Sequence, residues 1–450
     1  MSFRSLSLLI AAGLAGCAGG PAPKIDTPVA PAAFKNAVAA QAVAVPDAWW
    51  QLFNDPQLDA LQAQLLIGNE DVRAAVGRVD AARAALGQLR AAQQPSLGVT
   101  AGATRAGSGS GAPQNTLRAE LAASWEPDLF GRLGLASTAG AARLQASEAD
   151  LAALRLTAQA TLVQSYFELR AAEAQQALFE RSITAYERSL ALTRDRHQGG
   201  VVSVADVLQA DTQLRTAQVQ AVEAANTRAQ AEHAIAVLLG QAPSSLNLSP
   251  TASLPAAPPV PELLPGELLQ RRPDVRAAER RVAAAQAQVG VANAAFFPSF
   301  SLSANAGTRA ATLGRLFDGP SLVWSLGPAL AQQLLDGGAR AAVSAEAVAE
   351  AEQAGSAYRK AVLVALQEVE DRLVLATQLQ SQQRLQVQAL DAARRLLDIT
   401  QEQYRVGTVS YLNVVTAQTA VLSSERNLLD LRARQLSATN QLLKNVAGRW

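Results

Sequence analysis

Along this chain the spacing of apolar positions switches between two periods, and the switches mark its elements. Leu97, Val99, Ala101 and Ala103 alternate with Ser96, Gly98, Thr100, Gly102 and Thr104. Much later, Phe300, Leu302, Ala304 and Ala306 alternate with Ser299, Ser301, Ser303 and Asn305. A period of two with one apolar and one small, polar face predicts strands of the kind that separate lipid from water. A Gly/Ser tip at Gly107 to Gly111 leads to a return strand, Leu117 to Trp125, with Arg118 and Glu120 on its opposite face. The matching return strand lies near Leu322 to Leu330, where Trp324 suits an interfacial anchor. Two separate hairpins leave four open edges, which hydrocarbon does not tolerate, so in lipid they require partner chains. The alternative is a pair of soluble hairpins with one face on a core.

The rest of the chain follows helical periods. A helix is expected at about Asp71 to Ala92, ending before Pro95. Ala141 to Gln198 contains neither Gly nor Pro; as one helix it is ~85 Å long at 1.5 Å per residue. Ala339 to Val406 has Gly355 as its single breaker and reaches ~100 Å. Within it Val362, Leu366, Val369, Leu373 and Ala376 step by four and three, a coiled-coil seam. These stretches stop at Gly199-Gly200 and at Gly407, the predicted hairpin-tip turns. Further Gly- and Pro-free stretches, Val204 to Leu239 and Tyr411 to Val446, then return as antiparallel helices. A cytosolic coiled-coil rod has the same helices, but it explains neither the strand pairs nor the amino terminus.

The order of elements occurs twice. Asp71-Val72-Arg73-Ala74-Ala75 recurs as Asp274-Val275-Arg276-Ala277-Ala278, and Pro95-Ser96 recurs as Pro298-Ser299. Gly200-Val201-Val202-Ser203 faces Gly407-Thr408-Val409-Ser410. The period is too long for a solenoid, so the chain is an internally duplicated domain. Its predicted divisions are a signal segment 1–16, a tether 17–45, a first repeat 46–245, a Pro-rich linker 246–266 and a second repeat 267–450.

The amino terminus adds a location. Arg4 precedes an apolar run from Leu6 to Leu14, too short to span a bilayer but suited to a signal peptide. It ends in Leu14-Ala15-Gly16-Cys17, which resembles a bacterial lipobox, so Cys17 is the expected lipidation site. No later segment offers ~20 uninterrupted apolar residues, so any membrane-spanning part must be β-structure. Composition then removes other classes. Hydrophobic residues reach 49% while aromatics are 4% and charged residues 17%, a mixture suited to long, closely packed alanine-rich helices. A net charge of +1 without a basic stripe gives no case for nucleic acid. The two histidines, His197 and His233, and the sole cysteine exclude most metal sites and Cys/His catalysis. No Walker motif is present, and no cofactor is expected beyond the covalent lipid on Cys17.

In combination, these features resemble the TolC-like outer-membrane factors, specifically the NodT-type efflux lipoproteins. Trp49-Trp50-x-x-Phe53-x-Asp55-Pro56 is similar to that family's opening signature, and Trp125-Glu126-Pro127-Asp128-Leu129-Phe130-Gly131-Arg132 to its strand-to-helix junction. Arg271-Arg272-Pro273-Asp274-Val275 resembles the start of its second half, and Asp336-Gly337-Gly338 its second junction. The resemblance implies an α+β, mainly α, membrane protein. It forms a homotrimer in which three chains of four strands close a twelve-stranded barrel, continued by a periplasmic helical barrel. It further implies a passive, non-enzymatic outer-membrane channel, receiving small solutes or drugs from an inner-membrane pump, of RND type, through a periplasmic adaptor protein. A channel for type I protein secretion is the nearest alternative, and a lipid-anchored periplasmic scaffold the alternative outside transport. By the same resemblance, Tyr404, Leu412, Asn413 and Thr416 of the second half and Asp206 of the first map to a periplasmic gate. A carboxylate at the position of Asp206 also suits a helix cap, and that reading stays open.

Overall fold

The structure is a computed structural model that describes residues 31–35, 46–109, 111–251, 254–259, 269 and 271–446. Cys17, the signal segment and much of the tether and linker lie outside the described residues. In chain order come α1 (Pro56–Gly68), α2 (Glu70–Ala91), β1 (Ser96–Ala106), β2 (Gln114–Trp125), α3 (Arg132–Gln198) and α4 (Val204–Leu238). The second half supplies α5 (Pro273–Ala294), β3 (Ser299–Ala310), β4 (Leu322–Ala331), α6 (Ala339–Arg405) and α7 (Tyr411–Val446). Among the described residues no helix is long and apolar enough to cross a membrane.

Both long helices, α3 and α6, contain 67 residues, ~100 Å each. α3 begins nine residues before the first Gly- and Pro-free position, running through Gly134 and Gly140. Its start is fixed by Asp128, whose carboxylate accepts from Leu133 N at 3.1 Å and Gly134 N at 2.6 Å. A cap of this kind offsets about half of the ~2 kcal/mol that two helical glycines cost. Asp336 repeats the device for α6, accepting from Gly338 N at 3.0 Å and Arg340 N at 3.1 Å. The Arg340 side chain, 2.6 Å away, and these backbone donors hold the Asp336 carboxyl below its usual range. Each junction motif is therefore a strand-to-helix turn built around a capping aspartate.

The chain separates into two compact units that cut across the duplication. Among the described residues, one comprises 77–149 and 274–361 and holds the sheet and both junctions. There β1-β2-β3-β4 form one antiparallel sheet in sequence order. Pairing of β2 with β3, in register at Leu121↔Ala306, joins the two hairpins. This corrects the expectation of four open edges to two, one on β1 and one on β4. The pairing joins strands from different halves, which no local pattern encodes.

Register settles the faces. Leu97, Val99, Leu121, Trp125, Leu302, Leu326 and Leu330 share one face through the pairs Leu97↔Ala123, Val99↔Leu121, Trp125↔Leu302, Ala304↔Leu326 and Phe300↔Leu330. Trp324 joins them opposite Ala306. All but the half-buried Leu302 are solvent-exposed on the isolated chain, Val99 at 75% and Trp324 at 76%. Arg105, Asn115 and Thr308 interrupt this face towards its loop end; the exposed apolar remainder is a membrane or partner surface, not a soluble one.

The other unit comprises residues 29–76, 150–273 and 362–450. Its core gathers Trp49, Phe53, Leu58, Leu65, Leu162, Phe167, Ile235 and Leu443. Trp49 is fully buried and donates Nε1–H to Asn440 at 3.0 Å, while Asn440 donates to the Ala160 carbonyl at 2.9 Å. The opening signature thus anchors the chain's entrance against α3 and α7. Pro56 starts α1 where its missing N–H costs nothing, and Asp55 caps that helix. In the second-half signature Arg272 is buried and donates to Glu368 at 2.7 Å and Asn445 at 3.2 Å.

Candidate functional site

The hairpin tips are built by the same turn in both halves. α3 ends with Gly200 at φ 73°, where Val201 N donates to the Arg196 carbonyl and Gly200 N to that of His197. α6 ends with Gly407 at φ 82°, where Thr408 N donates to Gln403 and Gly407 N to Tyr404. Both are Schellman endings, which need a left-handed residue, so glycine is required at Gly200 and Gly407. Gly199 precedes the first turn in ordinary backbone and donates to the Asp195 carbonyl.

Beneath the tips lies a shared core of Tyr186, Leu190, Ala210, Leu214, Tyr404, Tyr411, Val414 and Val415. α7 starts at Tyr411, which faces inward with Val414 and Val415, so the intervening Leu412, Asn413 and Thr416 are exposed. The helical period alone therefore brings Leu412, Asn413 and Thr416 onto one accessible stripe. Thr416 spends its hydroxyl on the Leu412 carbonyl at 2.9 Å.

Two mapped residues differ from that stripe. Tyr404 is buried, with its ring 5.4 Å from that of Tyr411 and the Arg196 guanidinium 4.7 Å over its face. Arg196 also donates to the Tyr404 carbonyl at 2.9 Å. In the chain Tyr404 packs beneath the tip and does not line the exposed stripe, because its place in the last turn of α6 aims it at Tyr411. Asp206 forms a capping box with Ser203: Ser203 N donates to its carboxylate at 3.0 Å and Asp206 N returns a bond to Ser203 Oγ at 3.3 Å. The capping reading of Asp206 is realised in the structure. Its side chain is half-buried at the start of α4.

The tip holds no acid–base pair for chemistry. Burial, then the neighbouring Tyr404, pushes the Tyr411 phenol up to about 12, so it stays protonated at ordinary pH. The Tyr404 hydroxyl is buried without a hydrogen-bond partner, a cost of about 1–3 kcal/mol. Tyr404→Phe is therefore expected to leave the melting temperature unchanged or higher, while Tyr404→Ala costs about 3–5 kcal/mol as for other large buried aromatics. Thermal denaturation of the two variants measures both. His197 donates Nδ1–H to the Val202 carbonyl at 2.9 Å, an ordinary turn contact.

Sequence reasoning missed a second feature of this unit, a buried ionic lattice. Glu173 accepts from Arg170 at 2.5 Å, from Arg228 at 3.1 Å and from Thr251 N at 2.9 Å. Arg170 also donates to the Ser249 carbonyl and to Gln57, and lies 4.7 Å over the Tyr166 ring. Burial, then the hydrogen bond to Asp55, pushes the Tyr166 phenol upward. The lattice pins the start of the inter-repeat linker against α3 and α4. Its local pairs, Arg170 with Glu173 and Arg228 with Glu232, stand at helical spacing in the sequence, but the bond that joins them spans 55 residues and has no local signal.

An exposed apolar sheet face, two open edges and paired long helical hairpins narrow the families to consider. A family model described as outer membrane efflux protein matches residues 61–241 and 264–448. The chain belongs to that family. It is an outer-membrane efflux channel protein, with the mainly helical, duplicated fold of that family. Among relatives, it is 31% identical to the toluene efflux pump outer membrane protein TtgC of Pseudomonas putida over 451 residues, covering 95% of this chain and 92% of that one. It is also 31% identical to the pyoverdine export outer membrane protein OpmQ of Pseudomonas aeruginosa, covering 100% and 98%. Among solved structures, the outer-membrane channel OprN superposes with a TM-score of 0.90 at 32% identity, over 95% of this efflux protein and 99% of OprN. The efflux family is one of channels rather than enzymes.

Proposed function

We propose that three copies of this protein close a twelve-stranded barrel in the outer membrane, continued by the long helices as a periplasmic conduit. Solutes reach it from an inner-membrane pump of the RND type through a periplasmic adaptor protein. The observation that carries this reading is the sheet: one face apolar up to its loop end, one polar face, and unpaired edges on β1 and β4. Hydrocarbon leaves no edge unsatisfied, and a C3 ring pairs each β1 with the next chain's β4. The chain is a conduit and not a catalyst; the gradient or nucleotide that drives transport is spent by the pump. Toluene and pyoverdine in the names of the relatives support small organic solutes as the cargo class.

The tips form the gate. Leu412, Asn413 and Thr416 present the exposed stripe, with Asp206 at the neighbouring helix start and Tyr404 supporting them from below. Lipid on Cys17 anchors the chain. Mass spectrometry of the N-terminal peptide should show acyl chains on Cys17, and Cys17→Ser should block processing; an unmodified terminus at another residue contradicts the anchor. The function itself is tested in a strain lacking its outer-membrane efflux channel, given this protein with its matched pump and adaptor. Accumulation of a fluorescent efflux substrate should fall; unchanged accumulation despite outer-membrane insertion contradicts the reading.

A further inference from the structure

The polar face of the sheet is Ser, Thr, Gly, Ala, Asn and Gln, with Val323 and three charged residues, Arg118, Glu120 and Arg309. Arg118 and Arg309 lie in the loop half of their strands, away from the ends that join the helices, and Glu120 sits near the middle of β2. Arg118 and Arg309 are direct register partners across β2 and β3. Like charges directly opposite one another destabilise a sheet, so this pair does not serve stability. Glu120 offsets part of it, with Arg309 Nη2 3.8 Å from Glu120 Oε1. Arg118 lies instead across Gly102 on β1, its Nε 3.5 Å from where a Cβ there would stand. Gly307 makes similar room: a Cβ there would come within 2.8 Å of Glu120 Cγ and 2.3 Å of the Ala119 carbonyl oxygen. Small residues thus let long charged side chains lie along the wall.

We infer that Arg118 and Arg309 form a basic collar in the barrel lumen that concentrates anionic solutes, those bearing carboxylate, phosphate or sulfonate groups, at the outer part of the conduit. The inference rests on the trimeric channel reading. Each chain supplies two arginines and one glutamate on this face, so three chains place six positive and three negative charges around one lumen. Rings of arginine or lysine select anions in pores, and a low-dielectric wall focuses their field.

The test uses purified protein carrying Thr104→Cys, a position on the polar face. Cys17 is the natural chain's single cysteine, so the wild-type protein labelled in parallel gives the background. Modification rates are measured with an anionic reagent, sulfonatoethyl methanethiosulfonate, and a cationic one, the trimethylammonium analogue. The anionic-to-cationic rate ratio should fall severalfold on adding Arg118→Gln and Arg309→Gln, and should rise with Glu120→Gln. Val99→Cys, on the apolar face, should resist both reagents in lipid nanodiscs. Trimers whose ratio is the same in all variants overturn the collar alone. Reaction at Val99→Cys but not at Thr104→Cys overturns the assignment of faces and the collar with it. Failure to find trimers overturns the channel reading beneath both.

Discussion

Leu412→Ala is expected to raise the resting conductance of the channel severalfold, with little change in stability. Leu412 is 53% exposed in the isolated chain, in the first turn of α7, while its neighbours Tyr411 and Val414 carry the packing. A surface substitution of this kind stays within about ±0.5 kcal/mol, so a change in conductance reports on the pore and not on folding. Three leucines converging on a threefold axis make an apolar constriction that empties of water, and truncation to alanine lets it wet. Asp206 requires a different design, because its carboxylate closes the Ser203 capping box. Asp206→Ala costs about 1 kcal/mol of helix capping as well as a charge. Asp206→Asn keeps a capping oxygen and removes only the charge, so a fall in cation preference in that variant isolates the electrostatic part. Single-channel recording in planar bilayers measures both; wild-type conductance and selectivity in Leu412→Ala and Asp206→Asn would place the gate elsewhere.

The largest stability effect is expected at Glu173. Its side chain is 3% exposed and bridges Arg170, itself 2% exposed, to Arg228. Removing one partner from a buried ion pair leaves an uncompensated charge and costs about 3–5 kcal/mol. Glu173→Ala orphans the contacts of two guanidinium groups and releases Thr251 N, so the loss should sit at the upper end of that range. It should also show as faster proteolysis in the segment 246–251, which the lattice holds through the Leu248 and Ser249 carbonyls. Glu232→Gln, more exposed and bonded to Arg228 and Leu248 N, should cost less. Thermal denaturation with limited proteolysis measures the pair, and an unchanged melting temperature in Glu173→Ala would show the lattice to be dispensable.

The strands were legible because a sheet with lipid on one side and water on the other must alternate strictly, and Leu97 to Thr104 and Ser299 to Ala306 do so. The pairing of β2 with β3 was not, because it joins residues such as Leu121 and Ala306 that share no local signal. The helices were legible from runs without Gly or Pro, and the tips from Gly200 and Gly407, whose positive φ only glycine adopts freely. The start of α3 was misplaced because Gly134 and Gly140 look like breakers until the Asp128 cap is seen. Leu412, Asn413 and Thr416 fell on one stripe as the helical period requires, whereas the inward turn of Tyr404 shows only in its packing on Tyr411 and beneath Arg196, 208 residues away. Contacts 55 to 113 residues apart likewise hid the assembly of the Glu173 lattice. Arg118 and Glu120 were visible as charges on a strand's polar face, but Arg309 gained meaning only through register.

The central claim is that the open edges of β1 and β4 are closed by two further copies of the chain. Native mass spectrometry of the protein extracted from outer membranes in mild detergent tests it most directly. The account predicts a complex with the mass of three processed chains, and a stable species of one or two chains would contradict it.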